Sequence, residues 1–470
     1  MGATRIVILG GGPAGYEAAL VASQLGAEVT VVERDGSGGA CVLYDCVPSK
    51  TFIATSEAMS AFRGAGSLGV RACDPSEVAV HAPSVHGRVV ALARAQSADI
   101  ADRLRQEGVR VVTGTARLAE VQVGRVSHRV RIEPVDGEAE FVSAEVVLLA
   151  TGGTPRILPD ARPDGERILT WRQVYDLPEL PDHLVVVGSG VTGAEFASAY
   201  TEMGVKVTLV SSRDRLLPGE DAEAAALLER VFVSRGMNIL KKARAASVRR
   251  TADGVLVEMT DGRRVTGSHA LMTVGSVPNT AGLGLEQVGV GLTDSGHVRV
   301  DRVSRTTVPG IYAAGDCTGV LALASVAAMQ GRIAVWHAMG EAVAPLRLRT
   351  VSANVFTHPE IATVGVQQAA VDSGEVPARA VTLPLATNPR AKMQGLDEGF
   401  VKLFCRPATG AVVGGVVVAP HASELILPIT LAVQNRLTVT QLASTFSVYP
   451  SMSGSLTEAA RQLMVYDEVD

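Results

Sequence analysis

The segment Arg5–Gly15 near the start of the chain reads RIVILGGGPAG and indicates the class of fold. Its apolar run predicts a short buried strand, and its spaced glycines predict a tight turn that leads into a helix. In such a turn Gly10 permits the sharp bend, Gly12 lets a phosphate approach the backbone, and Gly15 lets the helix pack closely on the strand. Because a helix N-terminus carries partial positive charge, this stretch predicts a site for a dinucleotide pyrophosphate.

A second strand, Val29–Val32, follows that helix and ends in Glu33. An acidic residue at this point of a dinucleotide-binding unit binds the ribose hydroxyls. The residues assigned to this first glycine turn and its strand are Gly10, Gly12, Pro13, Ala14, Gly15, Glu33 and Arg34.

The same pattern occurs again in the middle of the chain, with a strand at Leu184–Val187, a glycine turn at Gly188–Gly193 and a strand at Val205–Val210. This second unit runs into Ser211-Ser212-Arg213 and lacks the acid. A carboxylate would repel a 2′-phosphate, whereas hydroxyls and a guanidinium can bind one, so we expect NADPH to be used at least as well as NADH. On the alternative interpretation, Arg213 is an ordinary solvated charge. The residues assigned to the second site are Gly188, Gly190, Val191, Gly193, Ser211, Ser212, Arg213 and Gly275.

A pair of cysteines follows the first unit, in the segment Gly38–Lys50, which reads GGACVLYDCVPSK. Cys41 and Cys46 are five residues apart, and Lys50 lies one helical turn beyond Cys46, where its charge stabilises a thiolate. Ser49 stands where an iron–sulfur motif would have a further cysteine, so we predict no metal. The isolated cysteines are expected to be ordinary buried side chains, and they are Cys73, Cys317 and Cys405.

Two different dinucleotide sites in one chain suggest one tightly held cofactor and one exchangeable cofactor. Nicotinamide delivers hydride, and flavin is the common acceptor that passes electrons on. Because the cysteine pair follows the first site closely, we expect that site to hold FAD and the second to bind NADPH or NADH.

Other segments show weaker patterns. We expect a helix over Val85–Glu107 and strands over Val121–Ile132, Val265–Val274 and Thr307–Ala313, followed near the C-terminus by further strands and amphipathic helices.

Composition narrows the class of protein. A chain of 470 residues with 48 glycines and a net charge of −5 fits a globular α/β protein of two to four domains. That charge gives no reason to expect nucleic acid or an anionic membrane as a partner. Every apolar run is too short to span a bilayer, and the first strand begins too early to leave room for a signal peptide. We therefore expect a cytoplasmic protein.

Together these motifs resemble those of the pyridine nucleotide-disulphide oxidoreductases, the family that contains dihydrolipoamide dehydrogenase, glutathione reductase and mercuric reductase. The resemblance covers essentially the whole chain. Besides the glycine turns it rests on Gly39–Lys50, Ala150–Gly153 and Gly310–Asp316.

The resemblance implies an α/β fold with two Rossmann-like dinucleotide-binding domains and a C-terminal α+β dimerisation domain. It divides the chain into an FAD-binding domain in two parts, an NAD(P)-binding domain and a dimerisation domain, and it implies a homodimer. The FAD parts are residues 1–150 and 281–345, the NAD(P) domain is 151–280, and the dimerisation domain is 346–470.

The resemblance also assigns roles. It places Cys46 nearer the flavin and Cys41 where it exchanges with substrate, and it makes Lys50 and Glu195 an ion pair beside the flavin N5. Asp316 would bind the ribityl and phosphate region. The remaining residues implied for the FAD site are Gly39, Ala40, Lys50, Thr151, Gly152 and Ala324. We expect a disulfide between the two cysteines in the oxidised protein, which requires that the helical turn between them be distorted.

One departure from the family bears on function. Family members that reduce disulfides end with a His-Pro step supplied by the partner subunit, and a glutamate five residues after the histidine orients it. Here Tyr449 precedes Pro450 and Gly454 stands at the glutamate position, while the last histidine of the chain is His421. General base catalysis contributes roughly 10²–10⁴ in rate, so we expect dithiol–disulfide exchange to be slow. His358 and His421 are the candidates for a substitute base.

The chain looks closest to an actinobacterial branch of the family described as NAD(P)H:quinone reductases, which share the Tyr-Pro-Ser ending. The resemblance thus implies an FAD-dependent NAD(P)H:quinone oxidoreductase. The alternatives are a dihydrolipoamide dehydrogenase, a pyridine nucleotide transhydrogenase and a non-catalytic flavin-binding subunit.

Overall fold

The structure is a computed structural model and describes residues 2–70, 78–119 and 127–464 of the chain. Cys73 lies outside these ranges, and so does the first part of the strand predicted over Val121–Ile132. The helices are α1 (Pro13–Gln24), α2 (Gly39–Leu43), α3 (Cys46–Gly64), α4 (Ala82–Gln106), α5 (Val191–Glu202), α6 (Ala222–Ser234), α7 (Leu285–Val288), α8 (Ala324–Ala338), α9 (Gln368–Asp372), α10 (Pro389–Met393), α11 (Ala422–Asn435), α12 (Val439–Ala443) and α13 (Gly454–Gln462).

The strands complete the description of secondary structure. They are β1 (Arg5–Leu9), β2 (Glu28–Glu33), β3 (Arg110–Leu118), β4 (His128–Pro134), β5 (Glu140–Ala144), β6 (Val146–Leu149), β7 (Gly153–Pro155), β8 (Ile168–Thr170), β9 (His183–Val187), β10 (Lys206–Val210), β11 (Asn238–Leu240), β12 (Ala245–Arg250), β13 (Val255–Met259), β14 (Arg264–Gly267), β15 (His269–Met272), β16 (Ser276–Pro278), β17 (Ile311–Ala313), β18 (Ser352–Val355), β19 (Glu360–Gly365), β20 (Arg379–Pro384), β21 (Phe400–Cys405) and β22 (Val412–Ala419).

The chain divides into two compact units, each made of three segments. The first unit consists of Met1–Thr51, His86–Arg156 and Gly275–Arg347, and the second of Phe52–Val85, Ile157–Val274 and Leu348–Asp470. In the part of the chain that the structure describes, no helix combines the length and the apolar character that a membrane crossing requires.

The first unit is built on a sheet with the strand order β17-β6-β1-β2-β3-β4-β5. The strands from β17 to β3 run parallel, and β4 and β5 are antiparallel additions. The central strands are continuous apolar runs because helices cover both faces of a parallel sheet. The strand order reverses between β1 and β6, and ligands bind at the carboxyl ends of the strands at such a switch point.

The second unit contains the repeated motif and the C-terminal sheet. Its parallel sheet has the order β11-β10-β9-β15-β8, and its C-terminal sheet has the antiparallel order β18-β19-β22-β21-β20. Helices α11 and α13 contribute to the apolar core on the C-terminal sheet, through side chains such as Ile429 and Leu456. The predicted α/β fold class, with parallel dinucleotide-binding sheets and an antiparallel C-terminal domain, is confirmed.

A buried ion pair links the C-terminal sheet to helix α6. Lys402 on β21 lies with its Nζ 2.9 Å from Asp221 Oδ2, and the two side chains are 4% and 0% exposed. Asp221 also caps α6, because its Oδ1 accepts the backbone N–H groups of Glu223 and Ala224. Removing the lysine would leave a buried carboxylate without its cation, which costs about 3–5 kcal/mol in comparable cases.

Two predicted strands are wrong in extent. The stretch Val265–Val274 is divided between β14 and β15, which belong to different sheets, because the backbone bends at Ser268. The strand predicted over Thr307–Ala313 is only Ile311–Ala313, since Pro309 lacks an N–H for a sheet ladder and Gly310 has a φ of 79°.

Candidate functional site

The first glycine turn lies at the switch point of the first unit, between the carboxyl ends of β1 and β6. A Cβ atom on Gly10 would lie 2.2 Å from the Ala150 carbonyl oxygen, and one on Gly15 would lie 1.9 Å from the Gly10 carbonyl oxygen. Neither position can hold a side chain. Gly12 differs, because a Cβ there would meet no atom closer than the Gly38 carbonyl oxygen at 4.0 Å.

The open space over Gly12 is where the sequence predicts a pyrophosphate. Gly12 precedes α1, and Pro13 begins that helix, so the first-turn N–H groups of α1 face this space. Ala14 is buried where α1 meets α8. A Cβ on Gly331 of α8 would lie 2.2 Å from the Ala14 carbonyl oxygen. The cradle therefore fits a dinucleotide phosphate, which a larger residue at Gly12 would displace.

Glu33 lies at the end of β2 beside this turn. Its Oε2 accepts the Gly11 backbone N–H at 2.6 Å, and its Oε1 accepts the Asp35 N–H at 2.9 Å. These bonds fix the carboxylate at the rim of the cradle. Arg34 is exposed and pairs with Asp35 at 3.0 Å, so its charge is already partly compensated.

The carboxyl ends of β6 and β17 supply the other predicted residues of the first site. Thr151 and Gly152 follow β6, and Asn279 bonds both of them, with its Nδ2 donating to the Thr151 carbonyl oxygen at 2.9 Å. Asp316 follows β17 and is partly buried, and this burial raises the pKa of its carboxyl while the nearby His297 opposes the shift. Ala324 is the first residue of α8.

Gln330 shapes this part of the site, although no motif drew attention to it. Its side chain is 1% exposed, and its Oε1 accepts the Gly315 N–H at 2.9 Å immediately before Asp316. An amide inside an otherwise apolar helical stretch is the sequence signal that could have identified it, because buried polar groups need partners.

The two cysteines lie on different helices. Cys41 is in α2 and Cys46 begins α3, with the chain leaving helical geometry at Tyr44. The expected distortion between the cysteines is therefore present. Both cysteines are free in this structure, and the disulfide expected in the oxidised protein stays a prediction. Gly39 and Ala40 open α2, and a Cβ on Gly39 would lie 3.0 Å from the Gly12 Cα.

The sulfur atoms share one hydrogen bond. The Cys46 thiol donates to the Cys41 sulfur, and this hydrogen bond lowers the pKa of Cys41. The charge of Lys50 lowers that pKa further, whereas burial and the charges of Asp45 and Asp316 raise it. The same hydrogen bond, together with burial, raises the pKa of Cys46. The two shifts favour the thiolate at Cys41 and the thiol at Cys46.

Lys50 and Glu195 lie in different units. Lys50 stands one turn after Cys46 in α3, and its Nζ donates to Ser49 Oγ at 3.2 Å. Glu195 in α5 is 4% exposed, and its Oε1 accepts the Phe356 backbone N–H at 2.9 Å. The ion pair expected between them stays a prediction.

The second glycine turn repeats the geometry of the first. A Cβ on Gly188 would lie 2.3 Å from the Thr273 carbonyl oxygen, and one on Gly193 would lie 2.0 Å from the Gly188 carbonyl oxygen. A Cβ on Gly190 would meet no atom within 4 Å. The turn thus has the same open cradle at the start of a helix, and Val191, the first residue of α5, is 43% exposed beside it. Gly275 has a φ of 93° after β15.

The residues that follow β10 differ in burial and in role. Ser211 is fully buried, and its hydroxyl lies 2.7 Å from Ser189 Oγ and donates to the Arg213 carbonyl oxygen at 3.1 Å. Its hydroxyl therefore shapes the loop. Ser212 and Arg213 are exposed at the end of the strand. The groove beside Arg213 is also lined by Arg215 and Lys241.

The segment that replaces the His-Pro step projects from the C-terminal domain. Tyr449, which precedes Pro450, is 82% exposed. The chain is fixed just after Pro450, where Asn388 Nδ2 donates to the Ser451 carbonyl oxygen at 3.0 Å. Gly454 begins α13, and a Cβ there would contact nothing closer than 3.9 Å. The position at which the family has glutamate is thus open.

Both candidate substitute bases have structural places through their backbones. The backbone of His358 is bonded, its N–H donating to Ser198 Oγ at 3.1 Å, and burial lowers the pKa of its imidazole. His421 has a φ of 55° and caps α11. Within the described residues, no group of three or more His, Cys, Asp or Glu side chains is arranged to hold a metal ion.

Comparison with known proteins identifies the family of this chain. Residues 4–331 match the family described as pyridine nucleotide-disulphide oxidoreductase, and residues 351–460 match its dimerisation domain. The chain belongs to the pyridine nucleotide-disulphide oxidoreductase family. The recognition made from the motifs is confirmed.

Similar proteins within the family are named after two different activities. An NAD(P)H dehydrogenase (quinone) of Mycobacterium tuberculosis is 62% identical over 470 residues, covering 99% of this chain and 95% of that protein. A dihydrolipoyl dehydrogenase of Chlorobaculum tepidum is 34% identical, covering 97% and 96%. The crystal structure of LpdA from M. tuberculosis has a TM-score of 0.94 at 62% identity and covers 98% of this chain and 100% of that chain.

The geometry of this family member's first turn generates a prediction that separates binding from folding. Gly12 has a φ of −67°, which alanine can adopt, whereas an added methyl group at Gly15 would collide with the Gly10 carbonyl. Gly12→Ala should leave the thermal stability of the apoprotein unchanged and abolish retention of the flavin, because the methyl group fills the phosphate cradle. Gly15→Ala should lower the stability of the apoprotein itself.

Thermal unfolding of both apoproteins, with flavin absorbance of the purified proteins, is the measurement. Full flavin content in Gly12→Ala would show that the cradle over this residue is not the phosphate site.

Proposed function

We propose that this protein is an FAD-dependent NAD(P)H:quinone oxidoreductase with little disulfide reductase activity. The observation that carries the proposal is that both dinucleotide cradles are intact while Tyr449 and Gly454 occupy the positions of the family's thiol base and its partner. Similarity over nearly the full length to an NAD(P)H dehydrogenase (quinone) supports it.

The first cradle is proposed to hold FAD and the second the nicotinamide coenzyme. Gly12 and the N-terminus of α1 would bind the FAD pyrophosphate, Glu33 a ribose, and Asp316 the ribityl and phosphate region. Bound FAD supplies a ring that accepts hydride from nicotinamide and passes electrons to an acceptor. This proposal assigns residues 1–150 and 281–345 to FAD, 151–280 to NAD(P) and 346–470 to dimerisation.

The protein's own residues would then set the charge around the flavin. Lys50 would hold a positive charge near the cofactor, and Glu195 would compensate it in a largely buried environment. A carboxylate that is 4% exposed is costly without a cation, and this supports the proposed pairing. The same lysine favours the Cys41 thiolate.

Disulfide exchange requires more than this. The thiol that attacks or leaves must lose or gain a proton, and a histidine supplies that step in family members that reduce disulfides. A phenol ordinarily has a pKa of about 10 and is therefore a poor base at neutral pH. A quinone reduced at the flavin takes its protons from water and needs no such base.

A dihydrolipoamide dehydrogenase is the second candidate. The cysteine pair is present with a lowered pKa at Cys41, and relatives of that name are similar over nearly the whole chain. The absence of histidine after His421 argues against it.

We also propose that the protein is a homodimer. Large apolar side chains are exposed in the region that matches the dimerisation domain, with Phe446 at 103% and Val448 at 78%. Leu427 and Leu431 on α11 are 56% and 48% exposed. Side chains of this size are buried in protein interfaces, and a second copy of the chain is the proposed partner.

Coenzyme selectivity gives one prediction. Arg213→Gln should lower kcat/KM for NADPH by about 10- to 100-fold, the size of one lost charge-assisted hydrogen bond, and leave kcat/KM for NADH close to wild type. Arg250→Gln is the matched control, because Arg250 is an exposed arginine of the second unit that pairs with Glu166. A wild-type protein that strongly prefers NADH would contradict the proposed 2′-phosphate contact.

Restoring the family's base gives another prediction. Tyr449→His together with Gly454→Glu should raise lipoamide turnover by about 10²-fold or more, the usual worth of a general base, while quinone turnover stays similar. Space for the glutamate exists, since a Cβ at Gly454 is uncrowded. Gly454→Glu alone, which adds the carboxylate without the imidazole, is the control and should not gain lipoamide activity. No gain in the double variant would mean that the missing base is not what limits disulfide exchange.

A further inference from the structure

One face of helix α5 is lined by buried polar side chains. Glu195, Ser198 and Glu202 follow the i, i+3, i+7 spacing that places residues on one side of a helix. They are 4%, 3% and 7% exposed. Buried polar groups at this spacing need partners, and the partners lie in the C-terminal domain and on neighbouring helices of the same unit.

The turn Phe356–His358 is held on this face by its backbone. The Phe356 N–H donates to Glu195 Oε1 at 2.9 Å, and the His358 N–H donates to Ser198 Oγ at 3.1 Å. Thr357 stiffens the turn, because its hydroxyl donates to the Pro359 carbonyl oxygen at 2.7 Å. Three consecutive residues are therefore fixed.

Arg235 holds the other side of the same turn. Its Nη1 donates to the His358 carbonyl oxygen at 2.6 Å and lies 2.5 Å from Glu202 Oε1. Glu202 is in turn fixed by Ser60 Oγ, which donates to its other carboxylate oxygen, and by Arg63, which donates to its backbone carbonyl at 2.7 Å. Both the N–H and the carbonyl of His358 are thus attached to α5, one directly and one through the arginine.

We propose that Ser198 and Arg235 are positioning residues for Glu195. They hold the Phe356–His358 turn so that the Phe356 amide takes one oxygen of the Glu195 carboxylate and sets the direction of the other. This inference rests on the proposed function, in which Glu195 compensates Lys50 beside the flavin. The C-terminal domain, besides forming the dimer, then fixes the charge environment in which hydride transfer occurs.

The turn is attached to α5 through its main chain. Every bond to α5 comes from a backbone group, so neither the phenyl ring of Phe356 nor the imidazole of His358 takes part in these bonds. His358 is accordingly assigned a structural place through its main chain.

The test compares Ser198→Ala and Arg235→Gln with a control, Lys402→Met, in the full-length protein purified with its flavin. Lys402 is a buried residue of the same unit that pairs with Asp221 and Glu223 and not with the turn. Its variant therefore loses stability without touching the α5 clamp, by which we mean the bonds from Ser198 and Arg235 to the turn. Amide hydrogen exchange of the peptide that spans Phe356–His358, in the apoprotein and the flavin-bound protein, is the first readout. The rate of flavin reduction by NADPH without acceptor and the KM for NADPH are the second.

In both clamp variants the Phe356–His358 amides should exchange about tenfold faster than in wild type. Flavin reduction should be about tenfold slower while the KM for NADPH stays close to wild type, because small misplacements near a reacting centre act mainly on rate. Lys402→Met should match wild type in both readouts despite its lower stability. If Arg235→Gln does not fold, Ser198→Ala, which removes one hydroxyl, still decides the question.

Faster exchange with wild-type flavin reduction would overturn the inference, and so would unchanged exchange in both variants. Failure of wild-type flavin to be reduced by NADPH would instead defeat the proposed function, and the exchange data would still report whether the clamp holds the turn.

Discussion

At the two glycine turns, backbone packs directly against backbone, and no side chain fits between them. At each turn the first glycine lies against a carbonyl oxygen of the neighbouring parallel strand, Ala150 or Thr273, with no room for a Cβ. The third glycine lies against the carbonyl of the first. This contact places a helix N-terminus at the switch point of each sheet, and it leaves the middle glycine facing open space. Two phosphate cradles with one geometry follow from it.

Function depends on what surrounds those cradles. In the first unit, Glu33 and Asp316 stand at the carboxyl ends of β2 and β17 or just beyond them, and the cysteine pair follows β2 in the chain. The hydrogen bond between the two sulfurs lowers the pKa of Cys41 and so favours its thiolate. A ready thiolate is not sufficient for turnover with a disulfide, because exchange also moves a proton at each step. In the proposed function, electrons therefore leave through the flavin.

Much of the fold could be predicted from the sequence because its signals are local. The glycine turns, the apolar strands beside them and the fold class depend on residues that are adjacent in the chain. The strand predicted over Val265–Val274 was wrong because an apolar run does not reveal that it bends at Ser268 and enters two sheets. Ser211 shows a second limit, since the motif does not tell that its hydroxyl is turned inward toward Ser189 while Ser212 and Arg213 remain exposed.

The α5 clamp could not have been predicted from the sequence at all. Its bonds join Ser198 and Arg235 to backbone groups more than a hundred residues away, and a backbone group leaves no signature in sequence. Gln330 is intermediate, because a buried amide in an apolar helix is visible as a pattern although its partner, the Gly315 N–H, is not. Sequence reasoning thus finds the residues that touch a cofactor more readily than those that hold them in place.

The most direct test of the central claim is an anaerobic acceptor panel with NADPH, in which quinone, lipoamide and glutathione disulfide are compared on the wild-type protein. If electrons leave through the flavin, quinone turnover should exceed turnover of either disulfide by about 10²-fold or more, the factor that a missing general base removes. Lipoamide turnover comparable with quinone turnover would contradict the account.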